Sequence, residues 1–408
     1  MIEEVFRCRG CGSTDAHVIL DMGKMPLANA FVTDESDDAD AFRAPLSLVM
    51  CEHCNLIQLG QQADREQLFR NYLWVTGTSD AAARHAPWLS QRLAERYLDA
   101  DRNLLVEIAS NDGFFLQHYR DAGFAIQGVD PSNVAGEANE RGLPTIQDFF
   151  GKAVAERIVT EQGKAQVVVA RNVIGHSSEL RDLFAGVDHL LADDGHFVIE
   201  HPYGYLLRSE VQYDQVFHEH VSYPTIQSVS NLLAEFGMKI VDIDFVNMNG
   251  GSMLIDAARL ADPAPEAGHE MRAFEKFIRL NEAAGWDEFR DTVLRQRTAL
   301  VDLLKTLKNE GKSVGGYGAA AKSMTMLNFC GIDTELVEVF ADANPKKQGL
   351  MCPGVRIPVV SPNELLERKP DYILIGAWNL KTEIIRQLRE EKGFAGKFII
   401  PLPLPTVV

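Results

Sequence analysis

The sequence predicts an α/β protein in which a cysteine-rich N-terminal module precedes two Rossmann-like units. Three observations support this fold class. Two Cys-x-x-Cys pairs lie within the first 80 residues, strand and helix patterns alternate over residues 100–260, and a second alternation begins at residue 313. A chain of 408 residues is long enough for two or three domains.

The composition excludes several classes of protein. A hydrophobic fraction of 46% with 24% charged residues is typical of a globular protein. No apolar run approaches the roughly 18–20 residues that span a bilayer, and MIEEVFRCRGC lacks the features of a secretory signal. The net charge of −18 argues against nonspecific binding to nucleic acid or anionic membranes. We therefore expect a cytoplasmic protein that binds neither, as a monomer or weak homodimer.

The first predicted domain, residues 1–80, contains four of the six cysteines: Cys8, Cys11, Cys51 and Cys54. Two such pairs place four thiolates tetrahedrally, which is the closed coordination of structural zinc. A redox dithiol needs only one pair at a helix start in a βαβ unit, and neither pair has that context. We predict a structural Zn²⁺ held by these four residues.

The second predicted domain, residues 81–264, alternates strands with helices. The strand candidates are NLLVEIAS (103–110), FAIQGVD (124–130), LPTI, AQVVVA (165–170) and HFVIE (196–200). This alternation predicts a parallel sheet with helices on both faces. MKIVDIDFV and GSMLIDAARL are joined by NMNGG, which is hairpin chemistry, so an antiparallel pair should close the sheet.

The remaining chain is predicted to form connecting helices and a third domain. Residues 265–311 are charged with spaced apolar positions, which indicates one or two long helices. Residues 312–408 contain SVGGYG, AAAKSMTMLNFCG, LVEVFAD, DYILIG and GKFIIP, which predict a smaller Rossmann-like domain.

The turn after the first strand of the middle domain is a candidate nucleotide-binding site. In VEIASNDGF (106–114), small residues and a glycine allow a ligand to approach the backbone closely. Asp130 ends the next strand, where an acid can accept hydrogen bonds from both hydroxyls of a ribose. An ordinary βα turn with a helix cap at Asn111 or Asp112 is the alternative. The predicted cofactor residues are Glu107, Ala109, Ser110, Asn111, Asp112, Gly113 and Asp130.

Several long segments in the same order identify a family. EIASNDGFFL, GVDPS, DFF (148–150), ARNVIGHSSEL (170–180), YDQVFHEHVSY (213–223) and GGSM (250–253) resemble the sugar C-methyltransferases. The resemblance extends over the whole chain, through MGKMPLANAF (22–31) to GYGAAAKSMTMLNFCGI, DANPKKQGLMCPGVRIPV and WNLKTEI.

The resemblance implies S-adenosylmethionine as cofactor, a class I methyltransferase core and methylation at C3 of nucleotide-linked 4-keto deoxysugars in antibiotic and surface-glycan pathways. Thymidine diphosphate is the expected nucleotide, and the C-terminal domain helps to enclose the substrate. It also adds residues to the cofactor site: Tyr72, Pro131, Ser132, Asp148, Phe149 and Asn172.

Two residues depart from the family pattern. Ala109 stands where the family often has Gly, which reduces the freedom of the turn. Phe217 stands where the family commonly has Tyr, so a hydrogen bond to the substrate is absent and the identity of the sugar is left open.

The His218-Glu219-His220 segment follows the fifth strand and should lie over the pocket at the carboxyl ends of the strands. If the segment is extended, both histidines lie on one side of it. A metal site completed by Glu219 or His201 and a polar structural loop are alternatives. Methyl transfer to carbon needs a base, and histidine titrates near neutrality.

The resemblance gives this role to His220, with Glu219 binding substrate or orienting the ring. His176 is a second candidate, which polarises the keto oxygen or relays a proton, or else is a locally bonded residue at a helix start. Phe217, Glu200 and Tyr223 are predicted to line the substrate pocket.

The C-terminal loop GYGAAA (316–321) leaves a rival hypothesis open. It fits G-x-G-x-x-A after a strand, and Asp342 ends the following strand, so an NAD-dependent oxidoreductase or epimerase has the same pattern. A non-catalytic zinc-ribbon scaffold is a third possibility. Alternatively the loop binds the pyrophosphate of a nucleotide sugar. The predicted substrate residues there are Tyr317, Gly318, Lys322, Asn344 and Lys347.

Overall fold

A computed structural model describes residues 6–33, 43–61, 64–69, 75–248 and 250–408. Within these ranges the strands form three sheets, of four, seven and six strands. Their arrangement confirms the predicted α/β fold class. Among the described residues, none of the helices combines the length and apolar character that crossing a bilayer requires.

The N-terminal sheet is antiparallel and lies beside the two cysteine pairs. Its strands are β1 (Ala16–Pro26), β2 (Arg43–Cys51) and β3 (Ile57–Leu59), and helix α1 (Arg65–Phe69) follows them. The fourth strand comes from far along the chain, because Ser222–Tyr223 pairs with β3. The segment that follows His218-Glu219-His220 is therefore part of the N-terminal module, which the sequence did not predict.

The central sheet has the order β10-β11-β8-β7-β4-β5-β6, and β11 is antiparallel to both of its neighbours. This confirms the predicted parallel sheet with a closing antiparallel pair. Its strands are β4 (Leu104–Ile108), β5 (Ala125–Val129), β6 (Thr145–Ile146), β7 (Ala165–Arg171), β8 (Leu191–Pro202), β10 (Met238–Val246) and β11 (Ser252–Arg259), with Ser222–Tyr223 numbered β9.

Helices cover both faces of this sheet. Every residue of β4 is buried, as expected for a strand enclosed on two sides. Leu105 belongs to one hydrophobic cluster and Val106 to the other, so alternate side chains face opposite layers. The helices are α2 (Asp80–Tyr97), α3 (Phe114–Asp121), α4 (Val134–Glu140), α5 (Lys152–Gln162), α6 (Leu180–Leu190), α7 (Gly204–Ser209) and α8 (Ile226–Glu235).

Two helices lead to the C-terminal sheet, whose order is β14-β13-β12-β15-β16-β17. Its neighbouring strands are parallel except for the antiparallel pair β16 and β17. The helices are α9 (His269–Phe277), α10 (Ala283–Asn309), α11 (Ala321–Cys330), α12 (Pro362–Glu367) and α13 (Lys381–Arg386). The strands are β12 (Val314–Tyr317), β13 (Phe340–Ala341), β14 (Val359–Val360), β15 (Tyr372–Ile375), β16 (Lys397–Ile400) and β17 (Thr406–Val407).

Candidate active site

The predicted cofactor turn leaves β4 in an unusual backbone conformation. Ala109, Asn111 and Gly113 have φ angles of 57°, 53° and 74°. A left-handed conformation is readily adopted by Gly and tolerated by Asn, but it brings the Cβ of alanine close to the following carbonyl oxygen. The turn therefore holds a strained residue at Ala109, the position where the resembled family often has Gly.

Asp130 connects this turn to the end of β5. Its Oδ2 accepts a hydrogen bond from the Asn111 backbone N–H at 2.8 Å, and its Oδ1 accepts one from the Ser132 N–H at 2.9 Å. The side chain is almost fully buried. Ser132 Oγ also donates to Oδ1, and since a carboxylate has about four acceptor positions, Asp130 could accept one further hydrogen bond from a ligand hydroxyl.

The residues around the turn fit a nucleoside such as that of S-adenosylmethionine. Ser110 Oγ is buried and has no hydrogen-bond partner in the described parts of the chain, and it faces the interior of the domain, since a Cβ at Gly128 would lie 2.5 Å from it. Asp148 and Phe149 follow β6, and the Phe149 ring is partly exposed. Asp130 and Phe149 would hold a ribose hydroxyl and an aromatic base respectively, whereas the Ser110 side chain is turned away from a ligand at this edge.

The N-terminal module reaches over this turn. The Thr76 N–H donates to Asn111 Oδ1 at 2.8 Å, and a Cβ at Gly77 would lie 2.7 Å from Asp112 Oδ2. The Arg65 guanidinium lies 4.5 Å from the centre of the Phe149 ring. Tyr72, predicted as a cofactor contact, lies outside the described residues. Its role stays a prediction.

A buried ionic cluster lies at the end of the central strands. Glu107 Oε1 accepts from Arg171 Nε at 2.9 Å, and Glu200 Oε2 lies 2.5 Å from His85 Nε2. The Arg171 guanidinium stacks 3.1 Å from the centre of the Phe115 ring. Burial raises the pKa of Glu107 to about 7, although the positive charge of Arg171 opposes this rise.

Glu107 and Glu200 were predicted to face ligands, and the structure shows their protein partners. The second oxygen of each carboxylate, Glu107 Oε2 and Glu200 Oε1, is buried without a partner among the described residues. Sequence reasoning missed Arg171 and His85. An arginine ending the otherwise uncharged strand AQVVVAR was the available signal for the first.

The His218-Glu219-His220 segment is a turn, so the extended arrangement that a metal site at this position would have used is absent. The His220 N–H donates to the Phe217 carbonyl at 2.9 Å, which is the closing bond of a tight turn. The two histidines consequently do not share one side of a strand. Among the described residues, the one cluster arranged to hold a metal ion is the set of four cysteines, so no metal site is found at this turn.

The His220 ring has a defined hydrogen bond. Its Nδ1 lies 3.1 Å from the Gln215 carbonyl oxygen. A carbonyl oxygen only accepts, so Nδ1 carries the proton and the neutral ring keeps its lone pair on Nε2. Burial, together with the neighbouring His176 and His201, lowers the pKa of His220 well below its ordinary value. The ring is therefore a neutral base near pH 7.

His176 contacts the same turn. Its Nδ1 lies 2.8 Å from the Glu219 carbonyl oxygen, and its ring centre lies 4.8 Å from that of His220. Burial lowers its pKa. The bond to a carbonyl oxygen places the proton of the neutral ring on Nδ1. The two predicted roles of His176, polarising the keto oxygen and relaying a proton, stay predictions.

The remaining pocket residues come from three parts of the chain. Glu219 Oε1 accepts from Asn29 Nδ2 of the N-terminal module at 2.7 Å, and burial raises the pKa of Glu219. Tyr223 Oη donates to the Gln215 carbonyl at 3.0 Å, and Phe217 stacks on His220 with ring centres 3.9 Å apart. Asn29 was missed as a site residue, although it lies in the quoted segment MGKMPLANAF.

The C-terminal loop has most of its polar groups engaged within the protein. Gly318 has a φ of 88° and follows the buried Tyr317. Lys322 is buried and donates to Asn379 Oδ1. Lys347 Nζ donates to the Ala319 carbonyl at 2.7 Å. Pyrophosphate binding by Lys322 stays a prediction and requires its ammonium group to leave Asn379.

Asn344 and Asp342 are the remaining predicted residues near the C-terminal loop. Asn344 is exposed, and its Oδ1 accepts from the Lys346 N–H at 3.0 Å. Asp342 lies 3.6 Å from Lys347. The acid that would bind ribose in the rival NAD-dependent hypothesis is therefore paired with a lysine.

The four cysteines fit a tetrahedral metal ion. The Sγ atoms of Cys8 and Cys54 are 3.4 Å apart, and those of Cys11 and Cys51 are 3.6 Å apart. Zn–S bonds of about 2.3 Å in a tetrahedron separate the sulfur atoms by roughly 3.8 Å. Gln58 Nε2 donates to Cys8 Sγ at 3.1 Å, a supporting contact of the kind that surrounds metal ligands. Zn²⁺ would close this module and have a structural role.

Comparisons with known proteins match family models along the chain. Residues 8–69 match the family described as a zinc binding domain, residues 80–243 that described as a methyltransferase domain, and residues 247–403 that described as a C-methyltransferase C-terminal domain. The chain is 35% identical to C-methyltransferase NovU of Streptomyces niveus over 411 residues, covering 100% of this chain and 98% of that protein.

Solved structures share less of the chain. Magnesium protoporphyrin IX methyltransferase from Synechocystis PCC 6803 with bound SAM is 15% identical, with a TM-score of 0.33, and the match covers 44% of this chain and 82% of that chain. Mitomycin 7-O-methyltransferase MmcR is 16% identical, with a TM-score of 0.34 and coverage of 48% and 61%. The match to NovU along the full length identifies this chain as a member of the S-adenosylmethionine-dependent C-methyltransferase family.

Proposed function

We propose that this protein methylates a carbon next to the ketone of a nucleotide-linked 4-keto deoxysugar, with His220 as the base. The observation that supports it is the hydrogen bond from His220 Nδ1 to the Gln215 carbonyl, which leaves Nε2 as a proton acceptor beside the carboxyl edge of the central sheet. A ketone acidifies its neighbouring C–H, and a positioned base supplies the remaining step.

In this mechanism Nε2 of His220 removes the proton at C3 and an enolate forms. The enolate carbon is then the nucleophile for methyl transfer. S-adenosylmethionine, when bound, would supply the electrophilic sulfonium methyl group, and S-adenosylhomocysteine would be the neutral thioether leaving group. His176 lies beside His220, ring centre to ring centre 4.8 Å, and takes the proton onward from the active site. Holding both reactants in one site contributes much of the acceleration.

The direct test measures proton abstraction and cofactor binding in separate experiments. The enzyme is incubated in deuterated water with S-adenosylhomocysteine and a thymidine-diphosphate 4-keto deoxysugar, and exchange at C3 is followed by NMR. We expect His220→Asn to slow this exchange by about 10²–10⁴-fold, the usual contribution of a general base, while calorimetry shows unchanged S-adenosylhomocysteine binding.

Asp130→Ala is the matched control, because it should lose S-adenosylhomocysteine affinity instead. Transfer of a deuterated methyl group from labelled S-adenosylmethionine then locates the product carbon by NMR. Methylation of an oxygen, or C3 exchange that survives His220→Asn, would refute the proposal. Binding of NAD in place of S-adenosylhomocysteine would favour the oxidoreductase hypothesis.

A further inference from the structure

The segment that carries His220 is anchored to the C-terminal domain by a short 3-10 turn at Tyr213–Gln215. The Tyr213 side chain is fully buried, and its Oη lies 3.4 Å from Cys330 Sγ of α11. Its ring centre lies 5.4 Å from that of Phe329. The first residue of the turn is thus packed into another domain.

The second residue of the turn makes a buried polar contact with the same domain. Asp214 is fully buried, and its Oδ2 accepts from Trp378 Nε1 at 2.7 Å. Burial raises the pKa of Asp214 to about 6, and the positive charge of Lys322 opposes the rise. A buried carboxylate destabilises the fold unless it accepts hydrogen bonds. The Trp378 N–H therefore adds a directional hydrogen bond to the apolar packing between the two domains.

The third residue of the turn holds the base. The Gln215 carbonyl oxygen accepts from His220 Nδ1 at 3.1 Å and from Tyr223 Oη at 3.0 Å. Trp378 is therefore joined to the imidazole through Asp214 and the backbone of Gln215. The Gln215 carbonyl oxygen decides which ring nitrogen of His220 carries the proton, because it can only accept.

We propose that Trp378 and Asp214 are positioning residues, through which docking of the C-terminal domain fixes His220 in the tautomer that has its lone pair on Nε2. This inference rests on the proposed role of His220 as base. It gives the C-terminal domain a part in proton abstraction in addition to any part in substrate binding. Neither residue needs to touch the substrate to act in this way.

The test reads the tautomer directly and needs neither substrate nor turnover. Protein labelled with ¹⁵N-histidine is studied by NMR at pH 8, and the His220 signals are assigned by their absence from His220→Gln. The wild type should show the two-nitrogen pattern of a single tautomer protonated at Nδ1. In Trp378→Phe, which keeps an aromatic ring but removes the indole N–H, we expect a mixture of both tautomers.

Trp286→Phe is the matched control. Trp286 is also fully buried, and its Nε1 donates at 2.7 Å to the Leu280 carbonyl, which is not part of the chain of hydrogen bonds to His220. Trp286→Phe should keep the wild-type ¹⁵N signals of His220. Asp214→Asn retains an oxygen acceptor for Trp378 and should rescue the pattern that Asp214→Val loses. Calorimetric binding of S-adenosylhomocysteine confirms that each variant is folded.

The outcomes decide the inference independently of the reaction. An unchanged His220 pattern in both Trp378→Phe and Asp214→Val overturns it, as does an equal change in Trp286→Phe. A wild-type pattern protonated at Nε2 overturns it as well. A failure of keto-sugar methylation with the tautomer result intact would instead count against the proposed function alone.

Discussion

Three histidines in and around the active site are kept neutral by their surroundings. His201 is buried, and burial, together with the neighbouring His176, lowers its pKa to about 3. His176 and His220 are shifted in the same direction by burial. In the folded protein each ring therefore binds a proton more weakly than it does in the unfolded chain. Neutral imidazoles suit proton abstraction, but they make the fold sensitive to acid.

This sensitivity gives a stability prediction for His201. Its ordinary pKa is 6.5 and its folded value about 3, so the unfolded chain binds the proton first as pH falls. Folding stability should therefore drop by about 1.4 kcal/mol per pH unit from this residue between pH 6.5 and 3, and be unaffected above that window. Denaturant unfolding at pH 5.5 and 7.5 should show a smaller difference for His201→Asn than for the wild type.

The exposed His269 at the start of α9 provides the control for this experiment. His269→Asn should retain the full wild-type difference between the two pH values. An equal loss in both variants would mean that His201 is not the residue responsible.

Ala109 leads to a second prediction at this scale. Because its φ is 57°, Ala109→Gly should relieve a left-handed strain of roughly 1–2 kcal/mol, partly offset by the greater freedom of unfolded glycine. We expect a net gain of about 1 kcal/mol in the free energy of unfolding. Ala83→Gly, at an exposed position of α2, should instead lose about 1 kcal/mol. A loss in both variants would contradict the assignment of strain to Ala109.

At the scale of elements, the sequence predicted the features that depend on residues close together in the chain. The buried runs of β4 and β7, the hairpin at residues 246–252 and the acid Asp130 follow from patterns within a few residues of themselves. The sequence left the conformation of His218-Glu219-His220 open, because alternating histidines fit an extended chain and a loop equally well and one backbone hydrogen bond decides between them. Asn29 and Glu219 are 190 residues apart, so no local pattern joins them.

The loop between β7 and α6 gives a prediction for an element. A Cβ at Gly175 would lie 2.2 Å from His201 Cε1 and 3.0 Å from the Ser222 carbonyl oxygen. Gly175→Ala should displace this loop from β8 and β9 and cost about 1–3 kcal/mol in unfolding free energy. In Gly136→Ala of α4 the Cβ meets nothing within 4 Å, so it should be neutral or stabilising. Thermal unfolding of both variants tests this; equal stability would show that the loop yields freely.

At the scale of the whole molecule, the three sheets meet at the segment between β8 and α8. β9 adds to the N-terminal sheet, Asn29 contacts Glu219, and Trp378 contacts Asp214. The cysteine cluster is joined to the central domain as well, since Asn231 Nδ2 donates to the Cys54 carbonyl at 3.1 Å. The N-terminal module is therefore part of the framework around His220, the proposed base.

Loss of the metal should therefore lower the rate of methyl transfer. We expect Cys54→Ser to lose zinc, measured by a colorimetric chelator, and to reduce methyl transfer, because β3 pairs with β9 and Asn29 bonds Glu219 beside His220. Cys352→Ala, which alters a buried cysteine of the C-terminal domain, is the control and should retain the metal. Full activity in a zinc-free Cys54→Ser protein would contradict this.

The pairing of β3 with β9 also bears on how the chain is made. During synthesis, Ile57–Leu59 leaves the ribosome long before Ser222–Tyr223 is translated, and a strand edge with unpaired backbone groups invites association with other chains. Until its partner arrives, the nascent module presents such an edge. Binding of Zn²⁺ soon after synthesis of the N-terminal module should reduce this association. We therefore expect growth in zinc-poor medium to increase the fraction of newly made protein that aggregates.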